Sequence, residues 1–303
     1  MGRSGLRVST VGLGCNNFGW SIDAEQSKGV VHKALDLGVT LFDTADIYGS
    51  PPGNSETILG ELIEGRRQEI VLTTKFGYSF TGGPPSNARG HILDALEASL
   101  KRLRTDWIDL YMVHTSDPST PLDETMRTLD EIVTSGKARY IGISNTAPWR
   151  VVEAQWVARE LRGRGFIASQ NEYSLLERGA EKEMIPALQA HGMALNPYFP
   201  LASGMLTGKY LDGDTGRLKD NFLGLGGKFL TERNHRIVRE LNDYAKSRGH
   251  SLLELAISWL ASQPVVAGII TGATRPEQVE QNVAASSWRL TPQELTEINA
   301  IAA

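Results

Sequence analysis

Residues 39–49 read VTLFDTADIYG, a mainly apolar run that leads into two aspartates and a tyrosine. Its apolar and β-branched residues predict a buried strand over 39–43 that ends in Asp43, with Tyr48 shortly beyond. A single aspartate in such a place usually belongs to a turn. Asp43 therefore points to a functional site only if other strands of the chain also end in polar side chains.

Further short apolar runs predict more strands, and amphipathic helical patterns separate them. Most of the runs are continuously apolar, as expected for parallel strands that are covered on both faces. The predicted strands are 9–14, 39–43, 69–75, 108–114, 138–144, 166–170, 193–198 and 265–271. Helical periodicity and helix-end signals predict helices at 24–36, 91–103, 122–135 and 292–302.

This alternation in a chain of 303 residues predicts the α/β class and a (β/α)8 TIM barrel, a single domain over 1–303 with long loops at the C-terminal face of the strands. The alternative is a doubly wound sheet, which usually carries G-x-G-x-x-G after its first strand. Residues 12–19 read GLGCNNFG and break that pattern at Asn17. The long Gly-rich loops at 77–90 and 211–228 favour functional lids over surface filler.

Composition narrows the class of protein. The formal net charge is −4, which argues against a nucleic-acid partner, and the longest apolar runs are too short to cross a membrane. The single cysteine, Cys15, excludes an internal disulfide and suits the reducing cytoplasm. Apart from His114, the histidines lack metal-ligand spacing, so we expect no metal. The oligomeric state is not indicated by the sequence.

The predicted strands share one property, which is that they end in polar or aromatic side chains. In a barrel the carboxyl ends of the strands carry the chemistry, so these side chains would surround one bowl. They are Asp43, Lys75, His114, Ser144, Gln170 and Tyr198, with Asn145 next to Ser144 and Tyr48 in the loop after Asp43. A whole set of polar strand ends predicts a shared site.

An Asp, a Tyr, a Lys and a His together suit proton transfer to a carbonyl oxygen. A phenol has an ordinary pKa of about 10, and a nearby ammonium typically lowers that pKa by about 1–3 units. The aspartate would keep the lysine charged, and the histidine would orient the carbonyl group. None of these side chains supplies electrons, so a reduction would require a hydride cofactor.

Several motifs together resemble the aldo-keto reductases, over about residues 3–300. The motifs are FDTADIYG, TTKFG, YMVH, GISN, QNEYSLLER, YFPLASGMLTGKY and GATRPEQVEQN. The resemblance implies an (α/β)8 barrel that reduces aldehydes or ketones with NADPH. It also implies that Tyr48 is the general acid, that Lys75 lowers its pKa, that Asp43 pairs with Lys75, and that His114 orients the carbonyl.

The same resemblance implies where the cofactor and the substrate bind. The residues implied at the nicotinamide end are Ser144, Asn145, Gln170 and Tyr198, the last one stacked on the ring. Those implied at the pyrophosphate lie in the turn 199–204 and are Phe199, Leu201, Ser203 and Gly204. Those implied at the adenosine end are Gly272, Thr274, Arg275, Gln278, Gln281 and Asn282. The walls of the substrate pocket would come from Asn16, Trp20, Tyr78 and Phe199.

The chain departs from the family pattern at the adenosine end. Well-known members have a lysine and a serine where this chain has Gly272 and Ala273, and an arginine where it has Gln278. The preference for NADP over NAD therefore depends on Arg275 and, secondarily, on Thr274. Arg275 has an alternative role as a surface partner of acidic residues on the following helix, and Trp20 has one as core packing.

Three functions are compatible with these residues. The first is reduction of a small carbonyl compound. The second is NADP-dependent oxidation of a sugar or hydroxylated metabolite, since the same residues serve both directions. The third is a slow-turnover NADPH-binding regulatory subunit, of the kind that this fold supplies to channels. We see no N-terminal docking segment in the sequence, which weighs against the third function.

Overall fold

The computed structural model describes residues 1–78, 86–211, 213, 218 and 224–303. Most of the predicted lid at 211–228, and residues 79–85 of the predicted loop 77–90, lie outside the described residues. Eight parallel strands pair in the order β7-β6-β5-β4-β3-β2-β1-β8. Their bounds are β1 Val11–Gly14, β2 Leu41–Asp43, β3 Val71–Phe76, β4 Ile108–Val113, β5 Ala138–Ser144, β6 Ala168–Glu172, β7 Ala194–Tyr198 and β8 Ile269–Gly272.

The sheet curves into a nearly closed barrel, which confirms the predicted (β/α)8 fold. Closure occurs between β7 and the segment before β8, where the Leu195 N–H donates to the Val265 carbonyl at 2.8 Å. The Ala267 N–H returns a hydrogen bond to the Leu195 carbonyl at 3.0 Å. The carboxyl ends of all the strands consequently meet at one face.

Helices cover the outside of the barrel. Their bounds are α1 Ala24–Asp36, α2 Asn54–Leu62, α3 Arg89–Leu103, α4 Leu122–Thr134, α5 Pro148–Glu160, α6 Met184–His191, α7 Leu225–Phe229, α8 Glu232–Ser247, α9 Leu252–Ala261, α10 Pro276–Ala284 and α11 Pro292–Ile301. The four predicted helices are present, with ends within two residues of the prediction. No helix within the described ranges is long and apolar enough to cross a membrane.

Helix α1 illustrates how local sequence sets an element. The Asp23 side chain accepts the Gln26 N–H, and the Gln26 side chain accepts the Asp23 N–H, so two backbone donors at the start are satisfied. Val30 and Val31 are buried on the barrel side, and burial of such a side chain stabilises the fold by about 1.5–3 kcal/mol. Gly38, at φ 73°, follows the end of the helix.

The last strand is shorter than predicted, since β8 begins at Ile269 rather than at residue 265. Residues 265–267 bond to β7 as an isolated bridge instead. Gly268 then passes so close to β2 that an added Cβ would lie 2.6 Å from the Leu41 Cδ2 atom. The continuously apolar run therefore contains two separate pairings, which periodicity alone cannot distinguish.

Candidate active site

A cavity of about 810 Å³ lies at the carboxyl ends of the strands. Most of the predicted site residues line it. These are Asn16, Trp20, Asp43, Tyr48, Tyr78, His114, Asn145, Gln170, Tyr198, Phe199, Leu201, Ser203, Gly204, Gly272, Thr274, Gln278, Gln281 and Asn282. The structure thus brings together side chains from the ends of nearly all the strands, as the barrel topology requires.

Three predicted site residues do not line the cavity. Lys75 is completely buried behind the cavity wall, and Ser144 is also fully buried. Arg275 is exposed and lies at the residue before α10, next to the lining residue Thr274. Lys75 and Ser144 can therefore act on the cavity only through their neighbours, and Arg275 only from its rim.

The Lys75 side chain contacts both Asp43 and Tyr48. Its Nζ atom lies 2.7 Å from Asp43 Oδ2 and 3.4 Å from the Tyr48 hydroxyl oxygen. It also donates to the Thr44 carbonyl at 2.8 Å. All three of its protons therefore have partners, although the side chain is fully buried.

The electrostatics of this group differ from the prediction in one respect. Burial raises the pKa of Tyr48, and the opposing effect of the Lys75 charge is smaller, so the pKa lies above its ordinary value rather than below it. Burial lowers the pKa of Lys75, but Asp43 and Tyr48 together raise it by more than burial lowers it. The pKa of Lys75 therefore lies above its ordinary value. At neutral pH the site therefore holds a neutral phenol beside an ammonium ion.

His114 follows β4 and is buried against two tyrosine rings. Its ring lies 5.7 Å from the Tyr48 ring, edge to face, and 5.2 Å from the Tyr78 ring. Burial lowers the pKa of His114 well below its ordinary value, and the Lys75 charge lowers it further. The imidazole is therefore neutral at physiological pH. Its Nδ1 atom is buried and has no hydrogen-bond partner among the described residues.

The side chains predicted for the nicotinamide end bond to each other, to Asp43 and to the His114 carbonyl. The Ser144 hydroxyl donates to the Gln170 carbonyl at 2.9 Å, and Gln170 Nε2 donates to Asp43 Oδ1 at 2.8 Å. Asn145 Nδ2 donates to the His114 carbonyl at 3.1 Å. The Tyr198 hydroxyl donates to Asn145 Oδ1 at 2.8 Å. These bonds hold the amides of β5 and β6 in fixed orientations beside Asp43 and His114.

The turn after β7 has an unusual backbone. Phe199, Ala202 and Ser203 all have positive φ, between 46° and 54°, and Gly204 follows at 99°. A backbone of this kind collects N–H groups into a concavity that favours anions. The Ser203 Oγ atom is buried there and has no hydrogen-bond partner in the described part of the chain. The Ala202 and Gly204 N–H groups donate to the Phe199 and Leu201 carbonyls within the turn, so the group that the turn offers to a phosphate is the unused hydroxyl.

Lys209 lies over this turn, and the sequence analysis missed it. A Cβ on Gly204 would lie 2.7 Å from Lys209 Cε and 3.1 Å from its Nζ, so the ammonium approaches closely only because residue 204 is glycine. Lys209 also lines the cavity. Its position as the one cation in YFPLASGMLTGKY was the signal that could have identified it.

Comparison with known proteins agrees with this geometry. The model of the aldo/keto reductase family matches residues 10–303. The chain belongs to the aldo/keto reductase family. It is 37% identical to an L-glyceraldehyde 3-phosphate reductase of Escherichia coli strain K12, over 98% of this chain and 90% of that protein.

Two further relatives show the breadth of the group. The chain is 38% identical to a probable voltage-gated potassium channel subunit beta of Arabidopsis thaliana, over 94% of this chain and 89% of that protein. It is 34% identical to a versiconal hemiacetal acetate reductase of Aspergillus parasiticus, over 97% and 94% of the two chains. The family and the reductases within it identify the protein as an NAD(P)H-dependent oxidoreductase.

At the adenosine end of this aldo/keto reductase, three hydrogen bonds converge on the Gln278 side chain. Gln278 Oε1 accepts the Thr274 N–H at 2.7 Å, the Thr274 hydroxyl at 3.1 Å and the Arg275 N–H at 3.2 Å. The backbone N–H groups of Thr274 and Arg275, just before α10, are therefore taken by a side chain and are not open to a phosphate. Among the described residues Arg275 forms no ion pair with Glu277 or Glu280, the surface partners considered as its alternative role, and Glu280 bonds to Lys33 instead.

The substrate side of the cavity is aromatic. Trp20 is 49% exposed and Tyr78 is 41% exposed, and both line the cavity with Asn16. The alternative that Trp20 packs in the core is therefore wrong. Ser21 and Ile47 also line this side, and neither was predicted.

Asp46 is a partly buried acid close to Tyr48, and the sequence analysis did not single it out. Burial raises its pKa to about 7, and the neighbouring Glu56 carboxylate raises it as well. Glu56 is bonded to Arg102, whose Nε lies 2.6 Å from its Oε2. Asp46 Oδ1 is buried without a partner in the described ranges. A carboxyl near Tyr48 is thus poised to titrate near neutrality.

Among the described residues, no group of three or more His, Cys, Asp or Glu side chains is arranged to hold a metal ion. Cys15 is buried, and burial raises the pKa of its thiol well above the ordinary value. A thiol of that kind is a poor nucleophile. The Tyr48 phenol, the Lys75 ammonium and the His114 imidazole are the groups that the candidate site brings together.

Proposed function

We propose that this protein reduces an aldehyde or ketone to an alcohol, with NADPH as the cofactor and Tyr48 as the proton donor. The observation that carries the proposal is the position of the Lys75 ammonium, 2.7 Å from Asp43 and 3.4 Å from the Tyr48 hydroxyl. Tyr48 presents this hydroxyl at the wall of a cavity of about 810 Å³. That volume suits a small-molecule site.

Tyr48 would give its proton to the carbonyl oxygen as negative charge develops there. Because burial raises its pKa, the phenol remains protonated at neutral pH and is available as an acid. The phenolate left behind would face the Lys75 ammonium, which Asp43 holds in place. Stabilisation of a developing charge by a fixed neighbouring charge is the usual source of acceleration in such sites.

His114 would orient the carbonyl group. It is neutral because burial lowers its pKa, so its ring has one N–H to donate. We assign that proton to Nε2, because a proton on Nδ1 would leave a buried donor without an acceptor. The carbonyl oxygen would then accept hydrogen bonds from both Tyr48 and His114.

The residues present fit a dinucleotide. The chemistry that NADPH supplies when bound is a hydride for the carbonyl carbon. Its pyrophosphate would lie against the concave turn at Leu201, Ser203 and Gly204, where Ser203 Oγ lacks a partner and the Lys209 ammonium is close. The ring would stack on Tyr198, and its carboxamide would contact the amides of Asn145 and Gln170, with Ser144 acting through Gln170.

Arg275 would bind the 2′-phosphate that NADPH has and NADH lacks, since its exposed guanidinium lies at the start of α10. We expect Arg275→Ala to weaken NADPH binding by about 10- to 100-fold, as for loss of a charged hydrogen bond, with little effect on NADH. Fluorescence titration with both cofactors measures the two dissociation constants. Arg289→Ala, which removes another exposed arginine, is the control. An equal loss for both cofactors would assign Arg275 no part in the discrimination.

The proposal is tested with a panel of aldehydes, ketones and secondary alcohols, followed by nicotinamide absorbance. We expect turnover of at least one carbonyl compound, and we expect Tyr48→Phe to lower kcat by about 10²- to 10⁴-fold. The affinity for NADPH should stay within about threefold, which would show that the variant is folded. A kcat for Tyr48→Phe close to that of the parent would remove Tyr48 as the acid.

The same panel separates the alternatives. Faster oxidation of an alcohol than reduction of any carbonyl compound would make dehydrogenation the main direction. The relative named as a probable potassium channel subunit beta supports a second candidate, a regulatory subunit that binds NADPH and turns over slowly. Tight NADPH binding with a single slow turnover across the whole panel would favour that candidate.

A further inference from the structure

A second cavity of about 460 Å³ lies at the other end of the barrel, beside the amino-terminal ends of β5, β6 and β7. Five of its lining side chains are basic, and none of its lining residues in the described part of the chain is Asp or Glu. The basic residues are Arg3, Arg139, Arg159, Arg164 and His191. The chain as a whole has a net charge of −4, so this local excess of positive charge is opposite to the balance of the molecule.

The basic side chains come from separate parts of the fold. Arg139 lies on β5, Arg159 on α5 and Arg164 in the loop that follows α5. Arg3 is held at the cavity because its N–H donates to the Gly192 carbonyl at 2.8 Å. Charges that follow one helix usually form a solvated face, whereas these converge from several segments on one concave surface.

Two of the arginines are anchored, and two are available. Arg139 Nη1 lies 2.7 Å from Asp109 Oδ1, and Arg164 Nη1 lies 2.9 Å from Asp130 Oδ1. Arg3 and Arg159 have no ion pair among the described residues. The Arg159 guanidinium lies 5.0 Å from the centre of the Trp156 ring. The cavity thus combines fixed guanidinium groups with free ones.

We propose that this basic cavity binds a small phosphorylated metabolite, a phosphomonoester with a sugar or nucleoside body. Guanidinium groups bind phosphate through paired N–H donors, and a dianion matches several cations better than a monocarboxylate does. The volume suits a small molecule rather than a polymer surface. The site lies at the opposite face of the barrel from the hydride-transfer site, so its ligand is not the carbonyl substrate.

Binding is tested on the intact protein saturated with NADP⁺, which keeps nucleotide probes out of the active-site cavity. The probes are inorganic phosphate, ribose 5-phosphate and AMP, with ribose and adenosine as neutral controls, measured by isothermal titration calorimetry. We expect the phosphorylated probes to bind at millimolar concentration or below. Their affinity should fall as salt is raised, since exposed charges are screened. The neutral controls should not bind.

Arg3→Ala combined with Arg159→Ala removes the two arginines without an ion pair, and we expect it to weaken AMP binding by about tenfold or more. Arg239→Ala, an exposed arginine on α8, is the matched control and should leave the affinity unchanged. Unchanged affinity in the double variant would overturn the proposal. So would the absence of heat with all three phosphorylated probes, or equal binding of AMP and adenosine.

Discussion

The barrel has a buried aspartate at each of its ends, and the two bond to different kinds of partner. Asp43 ends β2 at the carboxyl face and is 3% exposed, whereas Asp109 lies near the start of β4 and is 1% exposed. Asp43 bonds to Lys75 and Gln170. Asp109 bonds to Arg67, to Arg139 and to the Leu72 N–H. Burial is thus the same, and the partners differ.

The difference teaches what makes a buried carboxylate functional. Both guanidinium groups that bond to Asp109 also lie over the Trp107 ring, at 4.5 Å (Arg67) and 4.9 Å (Arg139) from its centre. None of Asp109, Arg67 and Arg139 lines the cavity at the carboxyl face. Lys75, by contrast, bonds both to Asp43 and to the Tyr48 hydroxyl, and Tyr48 lines the cavity. We infer that Asp109 contributes to stability and to the position of Arg139 at the basic cavity, whereas Asp43 contributes to stability and to the chemistry at the carboxyl face.

The largest effect is expected at the carboxyl face. Lys75→Met should lower kcat by about 10²- to 10⁴-fold, because the phenolate loses its stabilising charge. It should also destabilise the fold by about 3–5 kcal/mol, because Asp43 is left buried without a counter-charge. Addition of Asp43→Asn should restore most of the stability and none of the activity. Steady-state kinetics and urea unfolding measure the two quantities.

Recovery of activity in the Lys75→Met, Asp43→Asn double variant would contradict the role of Lys75. It would mean that the ammonium serves only to neutralise Asp43. The comparison between the two aspartates would then fail, since both would be structural.

A smaller effect is expected at the amino face. Asp109→Asn should destabilise the protein by about 3 kcal/mol, because the Arg67 side chain, only 12% exposed, loses its counter-charge. The kcat of the folded fraction should stay within about twofold of the parent, because the site lies at the other end of the barrel. Urea unfolding followed by tryptophan fluorescence gives the stability. A large loss of kcat in the fully folded variant would show that the two ends are coupled.

The smallest effect concerns Asp46, a partly buried aspartate that extends the comparison to a third carboxyl. Its pKa of about 7 lies above the ordinary value, so the unfolded state loses the proton first as pH rises. The folded protein should therefore lose stability between about pH 4 and pH 7 on account of this group. Asp46→Asn should remove that loss and be more stable than the parent at pH 8, on the order of 2 kcal/mol, since partial exposure reduces the effect.

Unfolding of parent and variant across pH 4–8 gives the difference curve, in which the other titrating groups cancel. A flat difference would show that Asp46 ionises in its ordinary range. Asp46 would then make no contribution to the loss of stability between pH 4 and pH 7.

The secondary structure was largely predictable, because it depends on local periodicity. The strand ends at Asp43, Ser144 and Tyr198 agree with the structure. The start of β8 was wrong, because the run 265–271 contains two different pairings that only the closed barrel separates. Lys209 was missed, because its approach to Gly204 depends on a turn with positive φ that no periodic pattern reveals.

The order of residue types along the chain determined that eight strands would alternate with helices and that polar side chains would stand at the strand ends. The pairing of the strands in the barrel decided which of those side chains touch. It placed Lys75 between Asp43 and Tyr48, residues 32 and 27 positions away along the chain. It also decided the sign of the pKa shift at Tyr48, because desolvation depends on how many atoms surround a group in space, and a sequence records only which residues are neighbours along the backbone.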